Sequence, residues 1–141
     1  MATHVATGAT YAIGLGCDRG VPLATVREAV LAALAQAGAR PQDVAAAASI
    51  VIKRDEAALL ELAETYGWPM TFYEPEALAR VAVPNPSETV RKYTGTPSVS
   101  EAAALLAAGP DADMTALVVE KHKHRGADGR HATVSIARIA T

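Results

Sequence analysis

The first segment whose residue types suit chemistry is a glycine-rich stretch, residues 14–20 (GLGCDRG), which joins an apolar run to a helical pattern. Glycines let the backbone turn sharply and expose amide N–H groups. A helix that begins there adds the positive end of its dipole, so such a turn can bind an anion. The spacing GxGxxxG differs from the dinucleotide fingerprint, and there is no Walker A lysine. The stretch therefore indicates either an anion site or a turn that needs glycine for geometry alone.

Cys17 lies within this glycine-rich stretch. A helix N-terminus lowers the pKa of a thiol, and a thiolate can act as a nucleophile. No histidine stands at a fixed position in the sequence to activate it. The alternative interpretation is a small side chain packed beneath the turn.

Lys53, Arg54 and Asp55 directly follow a run of small apolar and β-branched residues. In a parallel sheet the carboxyl ends of neighbouring strands open on the same side, where ligands usually bind. We therefore expect Lys53 to share one rim with the glycine-rich stretch, either as a ligand contact or as a solvated lysine. Asp55 is interpreted as a helix cap rather than as a general base.

A basic cluster occupies residues 121–125 (KHKHR), with Arg130 and His131 beyond a turn. Strict alternation along a strand places Lys121 and Lys123 on the face shared by Leu117 and Val119, and the histidines at 122 and 124 on the other face. The cluster is either a binding patch or a solvated hairpin tip. No acidic or thiol ligand stands near the two histidines, so we predict no metal site.

Taken together, backbone N–H groups and four cations predict a site for a ligand with several carboxylates or phosphates. The four cations are Arg19, Lys53, Lys121 and Lys123. No Ser-His-Asp arrangement and no strong pair of catalytic acids stands out, so the pattern favours binding over a recognisable reaction. A nucleotide-binding module with Arg54 on an extra phosphate is a weaker alternative, because the glycine spacing is wrong.

The elements that would position these residues alternate between strands and helices at the start of the chain. Strands are predicted at residues 10–15, 46–52, 70–73, 116–123 and 132–139. Helices are predicted to begin near residues 23, 55, 74, 87 and 98, the last with a Ser98/Glu101 capping box. Alternation favours parallel pairing, and the last two strands form a hairpin. We predict a three-layer α/β/α domain whose mixed, mostly parallel sheet has a C-terminal antiparallel hairpin.

Composition limits the remaining possibilities. The length of 141 residues suits one domain spanning residues 1–141, of which we expect 1–9 to be flexible. Half the residues are hydrophobic but only 4% are aromatic, so we expect a core of small and branched side chains. A net charge of −2 gives no reason to expect nucleic acid or a membrane as partner. The single cysteine and the lack of a long apolar run indicate a cytoplasmic protein, and nothing indicates a cofactor.

Five segments occur in an order that resembles one protein family. They are residues 13–20 (IGLGCDRG), 53–56 (KRDE), 83–88 (VPNPSE), 95–103 (GTPSVSEAA) and 133–138 (TVSIAR). Over about residues 11–138 the chain is similar to the cobalamin-biosynthesis family formed by CobE and the C-terminal domain of CbiG. The VPNPSE stretch is the most distinctive of the five.

The resemblance implies a role in making the corrin ring, whose intermediates are apolar macrocycles fringed with acetate and propionate carboxylates. It implies that the chain binds a corrin or precorrin intermediate, such as hydrogenobyrinic acid, and passes it between enzymes of the pathway. The site implied by the matching motifs comprises Gly16, Cys17, Arg19, Lys53, Asn85, Ser87, Lys121 and Lys123. Asp18 departs from the family pattern, in which this position is often basic.

An enzymatic alternative follows from the same resemblance. The longer CbiG proteins open a lactone ring in a cobalt-containing intermediate and release acetaldehyde, and they carry an additional N-terminal domain on which that activity is expected to depend. If this chain hydrolysed a precorrin lactone, Glu88 or Asp55 would activate water while Arg19 and Lys53 held peripheral carboxylates.

Overall fold

The computed structural model describes residues 9–96 and 98–140, so most of the segment expected to be flexible, residues 1–8, lies outside the described residues. A five-stranded sheet forms the centre, in the order β3-β2-β1-β5-β4. The strands are β1 (Tyr11–Cys17), β2 (Val44–Ile50), β3 (Met70–Tyr73), β4 (Leu117–Arg125) and β5 (His131–Arg138).

Helices cover both faces of the sheet. They are α1 (Leu23–Ala37), α2 (Ala57–Tyr66), α3 (Pro75–Ala79), α4 (Glu88–Thr94) and α5 (Val99–Ala108). Helix α1 packs on β4 and β5 and against α2, whereas α5 crosses the other face over β1, β2 and β5 and contacts α3. The predicted three-layer α/β/α architecture is confirmed.

Strand direction determines where a site can form. Strands β1, β2 and β3 pair in parallel, and β5 is antiparallel to both β1 and β4. The predicted mixed sheet and C-terminal hairpin are therefore confirmed. The carboxyl ends of β1 and β2 meet the beginning of β5 at one edge of the sheet.

The core is built from small and branched side chains, as the composition predicts. In α1, Val26, Val30 and Leu34 are fully buried, and they follow the predicted helical spacing. Helix α5 presents buried alanines to the sheet and approaches β1 closely at Gly14. A Cβ atom at Gly14 would overlap the Ser100 carbonyl oxygen, so glycine is required there for packing.

The prediction of which β4 side chains share a face of the sheet is wrong in part. Its register with β5 shifts between Leu117 and Val119 and again between Val119 and His122. Because each irregularity interrupts the alternation, Val119 packs in the core beneath α1, while Leu117 packs against α5. Lys121 therefore shares its face with Leu117 but not with Val119.

The predicted capping box at the start of α5 is also wrong. Ser98 occupies the N-cap position, yet its buried hydroxyl makes no capping hydrogen bond and has no partner among the residues that the structure describes. The Glu101 carboxylate, expected to reach back to the N-cap, instead accepts a hydrogen bond from Asn85. Within the described ranges, no helix is long and apolar enough to cross a membrane.

Candidate functional site

A cleft of about 400 Å³ opens at the edge of the sheet where β1 and β2 end and β5 begins. Its lining residues are Gly16, Cys17, Asp18, Arg19, Ile50, Lys53, Val90, Tyr93, Thr94, Val99, Lys123, His131 and Thr133. Five residues of the predicted site are among them: Gly16, Cys17, Arg19, Lys53 and Lys123. The cleft lies at the rim that strand polarity predicted.

Two lysines supply the available positive charge of the cleft. Lys53 ends the 3-10 turn Val51–Lys53 that follows β2, and Lys123 lies on β4 opposite Thr133 of β5. Neither ammonium group has a hydrogen-bond or ion-pair partner in the described part of the chain. Both can therefore bind an anion without first leaving an internal partner.

Arg19 was predicted to bind the ligand, but its guanidinium is already engaged by internal groups. It donates to Asp55 and Glu56, both at 2.8 Å, and to the Ile52 carbonyl at 2.6 Å. Hydrogen bonding to Arg19 holds the pKa of the Asp55 carboxyl below its usual range. Asp55 therefore binds Arg19 and is not the predicted helix cap, a position that Glu56 occupies without a side-chain capping bond.

The glycine-rich stretch does not form the anion-binding turn that we considered. Strand β1 continues through Cys17, so Gly14 and Gly16 are strand residues paired with β5. The turn itself has Gly20 at φ +77°, and the Gly20 N–H donates to the buried Glu56 carboxylate at 2.7 Å. An internal carboxylate thus takes the place that an external anion would occupy.

Cys17 lies partly buried in the cleft wall. Burial raises the pKa of the Cys17 thiol to about 11, even though the nearby Lys53 lowers it. The thiol is therefore protonated at neutral pH, which supports the interpretation of Cys17 as a packed side chain rather than as a nucleophile.

The cleft also has an apolar surface, which is formed by Ile50, Val99 and helix α4. Helix α4 contributes Val90, Tyr93 and Thr94 to the cleft but has no buried residue. Tyr93 is 77% exposed at its mouth. An aromatic side chain held this far out of the core offers a flat apolar surface to a ligand.

Asp18 and His131 both line the cleft and are joined by three hydrogen bonds. The Asp18 N–H donates to the His131 carbonyl at 3.0 Å, and the His131 N–H donates to the Asp18 carboxylate at 2.8 Å. The same carboxylate oxygen lies 3.2 Å from His131 Nδ1. Since Cys17 pairs with Ala132, the next residues outward are placed beside each other by the strand register.

Three predicted site residues lie outside the cleft. Ser87 caps α4 by accepting a hydrogen bond from the Val90 N–H at 3.2 Å. Asn85 donates to the fully buried Glu101 at 2.6 Å, and Lys121 lies 3.9 Å from the other Glu101 oxygen while donating to the Asn85 carbonyl. Asn85 thus hydrogen-bonds one oxygen of an internal carboxylate, and Lys121 places a positive charge near the other.

The histidines of the basic cluster also lie away from the cleft. His122 bonds to Gln36 and His124 pairs with Glu28, so both face α1 on the other side of the sheet. They were predicted to lie on the face of the sheet opposite the lysines, and this prediction is confirmed.

Sequence reasoning missed the pairing of Asp18 with His131 and the contribution of α4. The first depends on the antiparallel pairing of β1 with β5, which was not predicted from the sequence. No sequence signal marks Tyr93, because a single tyrosine in a short helix is as typical of a core as of a surface.

Comparison with known proteins decides the family. The family described as cobalamin synthesis G C-terminus matches residues 11–137. The chain belongs to this family. The resemblance inferred from the five segments is thereby confirmed, and the chain is a protein of cobalamin biosynthesis.

Relatives within this family differ in length and in name. The chain is 39% identical to a cobalt-precorrin-5A hydrolase of Priestia megaterium over 91% of its own length and 32% of that protein. It is 38% identical to Protein CobE of a Sinorhizobium species, over 95% of this chain and 83% of that one. It thus spans about a third of the hydrolase but most of CobE.

A solved structure agrees with the second relative. The crystal structure of CobE, a protein from the cobalamin biosynthetic pathway, matches with a TM-score of 0.76 and 33% identity. The match covers 94% of this chain and 92% of that one, so the fold is shared over nearly the whole length of both.

Proposed function

We propose that this chain is an accessory protein of cobalamin biosynthesis that binds a carboxylate-bearing corrin intermediate in the cleft and passes it between enzymes of the pathway. A corrin intermediate has an apolar ring with carboxylates at its edge. A protein that holds it needs cations beside an apolar surface.

The observation that carries the proposal is that two ammonium groups, with no partner among the described residues, line the same cleft as an apolar wall. Lys53 and Lys123 are available for edge carboxylates, and Ile50, Val99 and Tyr93 supply apolar surface. A cleft of about 400 Å³ suits partial burial of a large ring, with part of the ligand left open to solvent or to a second protein.

The residues that we propose to contact the ligand are fewer than the residues that the sequence implied. Gly16 and Cys17 contribute their backbone and a protonated thiol to the wall, while Arg19 holds the β1 end against Asp55 and Glu56. Asn85, Ser87 and Lys121 are proposed to act on the ligand only through the segments that they hold in place.

A second candidate function is hydrolysis of a precorrin lactone, favoured by 39% identity to a cobalt-precorrin-5A hydrolase. The two acids considered as bases do not support it. Asp55 is paired with Arg19, and Glu88 is paired with Arg91 on a side of α4 that does not line the cleft. Hydrolysis would need a different base or a further part of the longer relatives.

The experiment that tests the proposal is an absorbance-monitored titration of the purified protein with hydrogenobyrinic acid, followed by mass analysis of the recovered ligand. Saturable binding with an unchanged mass supports an accessory role. A lactone-bearing precorrin recovered with the mass of one water gained and one acetaldehyde lost would support the hydrolase instead. No binding at micromolar protein would contradict the proposal.

A pair of variants locates the site. Lys53→Met is expected to weaken binding by about 1–3 kcal/mol, the usual loss when a hydrogen bond to a charged group is removed. Lys92→Met is the matched control, because Lys92 is exposed on α4 and does not line the cleft. Equal effects of the two substitutions would show that the ligand responds to overall charge and not to the cleft.

A further inference from the structure

The pairing of Asp18 with His131 has no part in the binding of edge carboxylates, yet it is among the most constrained features of the cleft. A backbone hydrogen bond at 3.0 Å and two bonds to one carboxylate oxygen, at 2.8 and 3.2 Å, fix the histidine ring to the end of β1. The ring remains half-exposed, with 50% of its side chain open to solvent, and it lines the cleft. The imidazole is thus held in place without being buried.

The Asp18 carboxylate also determines which nitrogen of His131 is free. An ionised carboxylate only accepts hydrogen bonds, so the ring nitrogen beside it, Nδ1, carries the hydrogen. In the neutral ring the lone pair is then on Nε2. Within residues 9–96 and 98–140, Nε2 of His131 has no hydrogen-bond partner.

This arrangement is the one that proteins use to hold a metal ion through histidine. A metal-binding imidazole generally donates its other N–H to a carboxylate or carbonyl, which orients the ring and increases the basicity of the ligating nitrogen. The two lysines of the cleft carry ammonium groups, which have no lone pair to donate. Among the residues that line the cleft, His131 is accordingly the side chain whose ring nitrogen can donate a lone pair.

We propose that Nε2 of His131, oriented by Asp18, is an axial ligand to the cobalt of a corrinoid bound in the cleft. The inference rests on the proposed function, since it requires a corrin ring whose face lies over His131. The step is the formation of one dative bond, in which the imidazole lone pair replaces a water at an axial position. No electron is transferred and no proton is released.

The consequence is selectivity between ligands that differ only in the metal. A ring without cobalt gains nothing from a nitrogen lone pair at its centre, whereas a cobalt corrinoid gains one coordinate bond. We therefore expect the cleft to favour the cobalt form through His131 and to bind both forms through the lysines.

The test uses the full chain and two ligands that differ only in cobalt: hydrogenobyrinic acid and its Co(II) complex, cobyrinic acid. Cobyrinic acid carries no nitrogenous side base, so any axial nitrogen must come from the protein. Electron paramagnetic resonance of the Co(II) complex bound to the wild-type protein should show each cobalt line split into a nitrogen triplet. Incorporation of ¹⁵N-histidine should convert the triplet to a doublet without any substitution.

Substitutions then identify the residue. His131→Ala should abolish the triplet and weaken binding of the cobalt form at least about tenfold, as expected for lost metal ligation. Its affinity for the metal-free ring should stay close to that of the wild type. Asp18→Asn should weaken binding of the cobalt form by about tenfold while retaining the triplet. His124→Ala, on the opposite face of the sheet, is the matched control and should leave the affinity for both ligands unchanged.

The outcomes separate the inference from the proposed function. Binding of both ligands to the wild-type protein without a nitrogen triplet overturns the inference and leaves the proposed function intact. A triplet that persists in His131→Ala overturns the assignment to this residue. Failure of both ligands to bind overturns the proposed function and, with it, the inference.

Discussion

Lys121 and Lys123 are separated by one residue on β4, yet the structure predicts opposite consequences when each is replaced. Lys121 lies 3.9 Å from the Glu101 carboxylate and donates to the Asn85 carbonyl, whereas Lys123 lines the cleft. Lys121→Met should therefore reduce stability and leave ligand affinity unchanged. Lys123→Met should reduce affinity and leave stability unchanged.

The size of the stability loss follows from the burial of Glu101. Its side chain is 0% exposed, and one carboxylate oxygen has Asn85 as its hydrogen-bond donor while the other has only the nearby ammonium. Removing one partner of a fully buried ion pair costs about 3–5 kcal/mol. Because the Lys121 side chain is still 17% exposed and the contact is longer than a hydrogen bond, we expect about 2–3 kcal/mol for Lys121→Met.

Urea unfolding measures this difference, and titration with hydrogenobyrinic acid below the unfolding transition measures affinity. Lys123 has no ion-pair partner among the described residues, so Lys123→Met should change the free energy of unfolding by less than about 0.5 kcal/mol. Adding Glu101→Gln to Lys121→Met should restore most of the lost stability, because glutamine keeps the acceptor for Asn85 without the charge. A Lys121→Met protein of normal stability and weakened binding would refute the reasoning and return Lys121 to the ligand site.

Three further predictions concern individual side chains. Gly14→Ala should cost at least about 3 kcal/mol in a denaturant titration, since the new Cβ would overlap the backbone of α5. Gly38→Ala, with nothing within 4 Å, should cost only about 1 kcal/mol for its left-handed conformation, and similar losses at both sites would contradict the proposed close approach. Because its pKa is raised to about 11, Cys17 should react with a maleimide at pH 7.5 at least about a hundredfold more slowly than a free thiol, and rapid labelling would disprove a protonated thiol. Ser98→Ala should leave stability unchanged or raise it by up to about 1 kcal/mol, because the hydroxyl is buried and unpaired, while Ser87→Ala should cost about 1 kcal/mol in the same assay.

Much of the fold could be predicted from sequence because its signals are local. The predicted strand at residues 70–73 coincides with β3, and the helical stripe through Val26, Val30 and Leu34 lies in α1 as expected. Glycines at the ends of α1 and α2 adopt the left-handed conformation that ends a helix. Hydrophobic periodicity, helix caps and helix-ending residues are signals that extend over only a few positions, so they can be recognised without knowledge of the tertiary structure.

Part of the site could also be predicted, because strand polarity has a geometric consequence. Once β1 and β2 were taken as parallel neighbours, Lys53 had to lie on the same rim as Cys17 and Gly16, and all three line the cleft. The basic cluster at residues 121–125 added Lys123, and the motifs in family order implied the biological role.

The remaining features depended on contacts between residues far apart in the chain. Arg19 and Asp55 were read separately as a ligand contact and a helix cap, and the structure joins them in one ion pair. Glu101 was assigned to a cap and Asn85 to the ligand, and the two bind each other. A sequence lists charged groups but does not state which of them will neutralise one another once the chain is folded.

The sequence by itself determined the order of strands and helices, the layered α/β architecture, the family and the edge of the sheet at which the cleft opens. Only the tertiary structure decided which cations are available at that edge. Arg19 and Lys121 each pair with a buried carboxylate, and a buried carboxylate without a cation nearby would destabilise the fold. It also decided the direction of the β4 side chains, since register shifts change which face a residue occupies and leave no mark in the alternation of residue types. Secondary structure follows from neighbours in sequence, whereas the pairing of charges follows from neighbours in space.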